Sequence, residues 1–141
     1  MNNYGVHVAG TDHDGDGIWR TIEGEPLPWL EFHGGEPNRI EHTCLELRAT
    51  KTGLSDFNCN YSRFAVCERS AFDVNVSACR TEDSDGSLHC YFALEYLRPV
   101  DARSACPAEC VLATIESRAE FAFVHNFVFN GNLNDLKNVI R

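Results

Sequence analysis

The chain of 141 residues is long enough for one domain with a hydrophobic core. Its content of 43% hydrophobic and 23% charged residues is ordinary for a folded protein and argues against a disordered chain. The net charge of -9, without a lysine or arginine run, argues against nucleic-acid binding, and no apolar stretch has the length of a membrane span.

The first motif along the chain is the acidic segment of residues 11–26, which spaces its oxygens as the calcium loop of an EF-hand does. Counted from Asp12, aspartates stand at positions 1, 3 and 5, Gly17 at position 6 and Glu23 at position 12. An EF-hand also needs a helix on each side. The flanking stretches NNYGVHVAG and GEPLPWLEF contain glycine, proline and β-branched residues that disfavour helices. The segment is therefore predicted to be an acidic loop between strands.

The remaining elements divide the chain into a loop-rich first half and a second half with helices. In residues 4–69, frequent Gly, Pro, Asn and Asp separate short strand-like runs, and no window has helical periodicity. Residues 70–78 are predicted to be a connector. Residues 89–97 alternate as a strand does, and residues 98–106 have a proline near the start of a predicted helix.

The clearest helix signal covers residues 117–131. Ser117 and Glu120 form a capping box, and Gly131 is expected to end the helix. Its apolar face at helical spacing consists of Phe121, Val124, His125 and Val128. His125 is interpreted as a core histidine rather than a metal ligand. The predicted fold class is α+β.

Seven cysteines indicate structural disulfides. No pair has the two-residue spacing of a zinc knuckle or a redox motif, so we expect cystines and an oxidising, extracellular compartment. The sequons at Asn60 and Asn75 are compatible with secretion. Because the N-terminus lacks a signal-peptide pattern, we expect an incomplete or processed chain. The odd number of cysteines leaves one thiol over.

Several motifs together resemble the C-type lectin-like domain, but with its two halves in reverse order. VHVAGTD with DGIW, GEPLPWLEFHGGEPN, and CLEL with GLSDFNC and RFAVCER are similar to the family's long loop region and last strands. CRTEDSDGSLHCYF, DARSAC and LATIESRAEFAFV resemble its opening hairpin and two helices. The resemblance implies a C-terminal half at residues 1–69, the connector at 70–78 and an N-terminal half at 79–141. Either a circular permutation or a fragment of a tandem protein gives this order.

The resemblance also implies a fold of two helices and short antiparallel sheets with a long loop region, stapled by disulfides. The disulfide pairs that it implies are Cys44–Cys59, Cys67–Cys106 and Cys79–Cys90. Cys110 stands where the family has a small residue, so it is the expected remaining thiol.

A Ca²⁺-dependent sugar pocket is the function that the resemblance implies. Glu36 and Asn38 flank Pro37, which is expected to be cis so that both residues face one ion. The order of Glu36 before Asn38 resembles the family's mannose-type pocket, which takes mannose, glucose, fucose or N-acetylglucosamine. The implied metal and sugar ligands are Glu36, Asn38, Glu41, Ser55 and Asp56.

Two departures from the family pattern predict a weakened calcium site. Ser55 stands where the family has an asparagine. The stretch from Asn38 to Cys44 is short, so Glu41 is displaced and His42, a poor calcium ligand, takes the place of an acid. The alternative is that Glu-Pro-Asn is only a turn in a degenerate domain.

The acidic loop falls where the family has an auxiliary calcium site. Asp12 and Asp16 are at matching positions, with Glu41 expected to reach across and Arg39 expected to repel a cation. The alternative interpretation is a solvated acidic turn. A transition-metal pair of His33 and His42 lacks a third ligand.

The leading hypothesis is thus a secreted, non-catalytic lectin domain whose partner is a carbohydrate or glycoprotein. The main alternative is the same fold used for calcium-independent protein binding. An enzyme has little support, because no Ser-His-Asp or Cys-His set has a recognisable spacing, and the one candidate weighed is Cys110 as an activated thiol. The aromatic residues Trp19, Trp29 and Phe32 are interpreted as core rather than as a sugar-stacking surface.

Overall fold

The structure, a computed structural model, describes residues 5–70, 78–81, 88–106 and 110–130. These residues form seven strands and two helices: β1 (Gly5–Thr11), β2 (Cys44–Arg48), β3 (Ser55–Phe57), β4 (Arg63–Ser70), β5 (Ala78–Thr81), β6 (Leu88–Leu97), α1 (Pro99–Ala105), β7 (Val111–Leu112) and α2 (Arg118–Asn130). The fold class is α+β, as predicted, and it is compatible with a C-type lectin-like fold. Neither described helix has the length and apolar character needed to cross a membrane.

Local patterns predicted three of the second-half elements, β6, α1 and α2, to within one residue, but not β5 or β7. The predicted strand 89–97 is β6, and the predicted helix 98–106 is α1, with its proline in the first turn. The predicted helix 117–131 is α2. Gly131 and most of the predicted connector, residues 71–77, lie outside the described residues.

One mixed sheet replaces the short antiparallel sheets that we expected. Among the described strands its order is β3-β2-β1-β4-β6-β5, with β7 pairing β4. The central pair β1–β4 is parallel, and the other pairs are antiparallel. Both central strands are buried along most of their length, which suits a parallel pair between covered faces. Strands from both halves of the chain therefore belong to one sheet.

The main core lies between the sheet and α2. Phe121, Val124 and Val128, spaced as one helical face, are at most 3% exposed. They belong to one apolar cluster with residues of β1, β2, β4 and β6: Val6, Val8, Leu45, Leu47, Phe64, Val66 and Tyr91. Trp19 is also in this cluster, and Trp29 and Phe32 pack against it, so the three aromatic residues are core as predicted.

A smaller core lies on the other face, under α1. Along β4, Phe64 and Val66 belong to the main cluster, whereas Ala65 and Cys67 belong to the cluster with Ala102 of α1. Successive strand residues point to opposite faces, so the two helices cover opposite sides of the sheet.

Disulfides join elements that are far apart in sequence. Cys67 of β4 bonds Cys106 at the end of α1, and Cys44 of β2 bonds Cys59, as the resemblance implies. Cys90 is also disulfide-bonded. Its register partner on β5 is Cys79, whose side chain lies outside the described residues, so that pair stays a prediction.

Residues 12–43 form the long loop region between β1 and β2. Backbone hydrogen bonds between Thr11 and Arg20 close its acidic first part, which has no flanking helix and so is not an EF-hand. Near its other end, the backbone amide of His33 donates to the carbonyl of Leu54, and the backbone amide of Leu54 donates to the carbonyl of Glu31, each at 2.9 Å. These bonds attach the loop region to the start of β3.

Candidate functional site

Asp56 of β3 anchors the Glu-Pro-Asn turn. Its side chain is fully buried, and its two oxygens accept hydrogen bonds from the backbone amides of Asn38 at 3.0 Å and Arg39 at 3.2 Å. Burial raises the pKa of Asp56, but the Glu36 carboxyl acting as a hydrogen-bond donor and the backbone amides outweigh it, so the pKa is lowered. The carboxylate therefore holds the turn against the sheet.

Glu36 brings a second carboxyl group to the same place. The Glu36–Pro37 peptide is cis, as the resemblance implies, and the Glu36 side chain is only 6% exposed. Burial raises the pKa of Glu36, the nearby Asp56 carboxylate raises it further, and the ammonium of Lys51 only partly offsets these effects. Two neighbouring carboxyls thus share one site, with their pKa values displaced in opposite directions.

Lys51 is the cation that pairs with Glu36. Its Nζ lies 2.5 Å from Oε2 of Glu36, and the same oxygen accepts a 3.4 Å hydrogen bond from Nδ2 of Asn38. This contact was not predicted from the sequence, because Lys51 lies in the connection between β2 and β3, 15 residues after Glu36.

An open cavity of about 230 Å³ lies above these groups, with Glu36, Asn38, Ser55 and Asp56 among its lining residues. Three buried polar atoms of its lining residues, Oε1 of Glu36, Oγ of Ser55 and Nδ1 of His42, have no hydrogen-bond partner within the described chain. Buried polar atoms are usually paired, so this cavity has hydrogen-bonding capacity for a ligand.

Glu41 is not brought to this cavity. Its side chain is 58% exposed and pairs with the Arg39 guanidinium at 3.6 Å. His42 instead places Nδ1 3.4 Å from Oδ2 of Asp56, without hydrogen-bond geometry. Of the five implied pocket residues, the structure therefore brings four together.

Arg20 pairs with two of the three aspartates of the acidic loop, a contact that the sequence interpretation missed although Arg20 stands only four positions after Asp16. Arg20 donates to both Asp16 oxygens, at 3.2 and 3.0 Å, and lies 3.5 Å from Asp14. These hydrogen bonds, with the backbone amide of Ile18, lower the pKa of Asp16 to about 2. Asp12 accepts from the amide of Gly17 at 3.2 Å, and its other oxygen is buried without a hydrogen-bond partner.

Two of the three histidines weighed as metal ligands, His33 and His125, have structural hydrogen bonds. Nδ1 of His33 accepts from the backbone amide of Thr52 at 3.1 Å. Nε2 of His125 donates to the carbonyl of Arg48 at 2.8 Å, which supports its interpretation as a core histidine.

These residues, as placed, do not fit a calcium ion. Ca²⁺ takes six to eight oxygens and is favoured by several carboxylates. The four implied ligands that line the pocket offer two carboxyls, one amide and one hydroxyl, and the Glu36 carboxylate is already ion-paired with Lys51. Within the described part of the chain, no group of three His, Cys, Asp or Glu residues is arranged to hold a metal.

Comparison with known proteins gives a partial likeness. No family model and no solved structure matches the chain. CD209 antigens of Papio hamadryas, Chlorocebus aethiops and Macaca mulatta are each 35% identical over 65 residues. The match covers 43% of this chain and 18%, 16% and 16% of those proteins, so it spans less than a fifth of their length. CD209 antigen is a C-type lectin, and the likeness supports a C-type lectin-like domain.

Proposed function

We propose that the chain is an extracellular, non-catalytic lectin domain that binds a carbohydrate or glycoprotein in the cavity over the Glu-Pro-Asn turn. The partial likeness to C-type lectins and the disulfide-stapled fold support this class of function. Glu36, Asn38, Ser55 and Asp56 are the proposed binding residues. Calcium dependence is not part of the proposal, because the residues do not fit the ion.

The observation that carries the proposal is the pair of unsatisfied polar atoms, Oε1 of Glu36 and Oγ of Ser55, in an open cavity. A sugar hydroxyl both donates and accepts, so adjacent hydroxyls satisfy a carboxylate and an amide side by side. The order of Glu36 and Asn38 resembles the mannose-type pocket, so we propose equatorial vicinal diols as the ligand group. Affinity for one sugar should be weak, with useful strength arising from multivalency.

A glycan panel probed with a multivalent form of the oxidised protein tests this function. We expect retention on mannose-type glycans, loss by about tenfold or more in Asn38→Ala, and no loss in Glu41→Gln. Asn38→Ala keeps the backbone amide that Asp56 holds, so the turn remains anchored. Failure to retain any glycan, or equal retention by wild type and Asn38→Ala, would reject the proposal.

A second candidate, calcium-independent protein binding, is favoured by apolar side chains beside a neighbouring cavity of about 480 Å³. Ile40 is 83% exposed and Leu30 is 39% exposed, and both line that cavity. A partner protein bound through this surface should be released by Ile40→Glu but not by free sugar or EDTA. Release by free mannose would favour the carbohydrate instead.

We further propose that the reversed order of the halves is a circular permutation within one domain, with the boundaries 1–69, 70–78 and 79–141. The pairing of β4 with β6 and the Cys67–Cys106 disulfide support it, because each joins the first half to the second. Peptide mapping of the oxidised monomer should give a Cys67–Cys106 peptide within one chain. A cross-link between two chains would contradict it.

A further inference from the structure

Lys51 is held where its ammonium reaches the pocket. The backbone amide of Lys51 donates to the carbonyl of Arg48 at 3.2 Å, which closes the turn after β2. From this turn the side chain is 27% exposed and ends 2.5 Å from Oε2 of Glu36, whose own side chain is 6% exposed. The contact is therefore part of the folded pocket rather than a pair of solvated surface groups.

The other basic side chains of the cavity are engaged elsewhere. Arg63 bonds Oε1 of Glu46 at 2.8 Å, and Arg48 bonds Oε2 of the same residue at 3.2 Å. Asp56 accepts hydrogen bonds from two backbone amides, and the basic side chain beside it is His42, with Nδ1 3.4 Å from Oδ2. The positive charge that balances Glu36 comes from Lys51.

An ammonium and a divalent ion cannot both use Oε2 of Glu36. Each needs that oxygen at close range, and two cations a few ångströms apart in a half-buried site repel each other strongly. Groups of this chain perform both structural tasks in the pocket: Asp56 holds the turn through the amide of Asn38, and Lys51 balances the charge of Glu36.

We propose that the ammonium of Lys51 takes the place of a divalent ion at Glu36, so that the pocket keeps its shape without metal. The inference rests on the proposed function only in that both concern the same pocket. Lys51 is thus the residue that determines the metal independence of the site. Its removal should expose two carboxyls and an amide to an incoming cation.

Calcium titration calorimetry and thermal unfolding in CaCl₂ or EDTA test this inference, using wild type, Lys51→Met and Lys51→Arg. Methionine keeps an unbranched side chain but removes the charge, whereas arginine keeps the charge. We expect the wild-type and Lys51→Arg melting temperatures to agree within about 1 °C in the two buffers. Lys51→Met should bind Ca²⁺ at least about tenfold more tightly than wild type and should be stabilised by it.

Equal Ca²⁺ affinity in wild type and Lys51→Met, whether measurable or nil, would overturn the inference. If Lys51→Met does not fold, the wild-type protein alone tests the inference. A rise of several degrees in its melting temperature in about 10 mM CaCl₂ would overturn the inference, and an unchanged melting temperature would support it. No sugar enters this experiment. A negative glycan panel therefore leaves the inference standing, and calcium uptake by the wild type leaves the carbohydrate proposal standing.

Discussion

The hydroxyl of Tyr91 on β6 donates a hydrogen bond to Oε2 of Glu120 on α2, and both residues are fully buried. Oε1 of Glu120 accepts from the backbone amide of Glu116 at 2.7 Å, while Oγ of Ser117 accepts from the amide of Glu120 at 3.0 Å. The first half of the predicted capping box, from Ser117 to the amide of Glu120, is thus present, whereas the Glu120 carboxyl bonds the amide of Glu116 instead of that of Ser117. An acid at the first turn of α2 is thereby fixed beneath the sheet.

The first prediction concerns pH. Burial raises the pKa of Glu120 from 4.5 to about 7, although the bonds from Tyr91 and Glu116 lower it in part. A raised pKa means that the folded state holds the proton more tightly. The stability that protonated Glu120 contributes is complete below pH 4.5, falls as the pH rises, and is lost above about pH 7. We expect wild type to lose about 2 kcal/mol more than Glu120→Gln between about pH 5 and about pH 8.

Urea unfolding followed by tryptophan fluorescence at several pH values measures this difference. Tyr91→Phe removes a bond that favours the charged acid, so its loss of stability should extend to higher pH than that of wild type. Parallel pH curves for wild type and Glu120→Gln would show that Glu120 does not titrate in this range.

The second prediction compares the two described disulfides. The chain-entropy estimate gives about 4 kcal/mol for Cys67–Cys106, which are 39 residues apart, and about 3 kcal/mol for Cys44–Cys59, which are 15 apart. We expect the free energy of unfolding of Cys67→Ala/Cys106→Ala to be lower than that of Cys44→Ala/Cys59→Ala by about 1 kcal/mol. Urea unfolding of the two variants measures it, and the opposite order would show that the entropy of the unfolded chain does not dominate.

The third prediction concerns Gly53, which precedes β3. An added Cβ would lie 2.5 Å from the backbone nitrogen of His33 and 2.7 Å from the carbonyl carbon of Phe32. The backbone atoms of His33 and Phe32 are held by the hydrogen bonds to Leu54 and cannot move freely. Gly53→Ala should therefore lower the free energy of unfolding by about 2 kcal/mol or more. Gly34→Ala is the matched control, since a Cβ there meets nothing within 4 Å. Equal unfolding midpoints for the two variants would contradict this close approach.

The fourth prediction concerns the Asp56 anchor. Asp56→Ala leaves the amides of Asn38 and Arg39 without their acceptor, and we expect a loss of about 2 kcal/mol. Asp56→Asn keeps one acceptor oxygen and should lose about half as much. The exposed Glu41→Gln is the control and should change stability by less than about 0.5 kcal/mol. If Asp56→Ala unfolds at the same urea concentration as wild type, the turn has another anchor.

The sequence alone predicted elements whose signals are local. The face of Phe121, Val124 and Val128, the proline that starts α1 and the alternation of β6 all arise within a few residues, so neighbouring side chains decide them. The resemblance supplied longer-range pairs, such as Cys67–Cys106, because a family motif carries its spatial neighbours with it.

Contacts between segments that carry no such motif could not be predicted from the sequence. The parallel pairing of β1 with β4 was missed, since it depends on how the long loop region and the connection from β3 run between them. The Arg20–Asp16 pair was missed despite its short spacing, because the aspartates matched a cation-binding pattern and the balancing arginine was not considered.

The sequence by itself thus determined which polar groups stand on the Glu-Pro-Asn turn and on β3, since both are short motifs with fixed internal spacing. Only the tertiary structure decided that Lys51 faces Glu36 while Glu41 turns away to Arg39. The physical reason is that a largely buried carboxylate pairs with the cation that the folded loops place beside it. That choice depends on the path of the backbone through space, not on the order of residues along it.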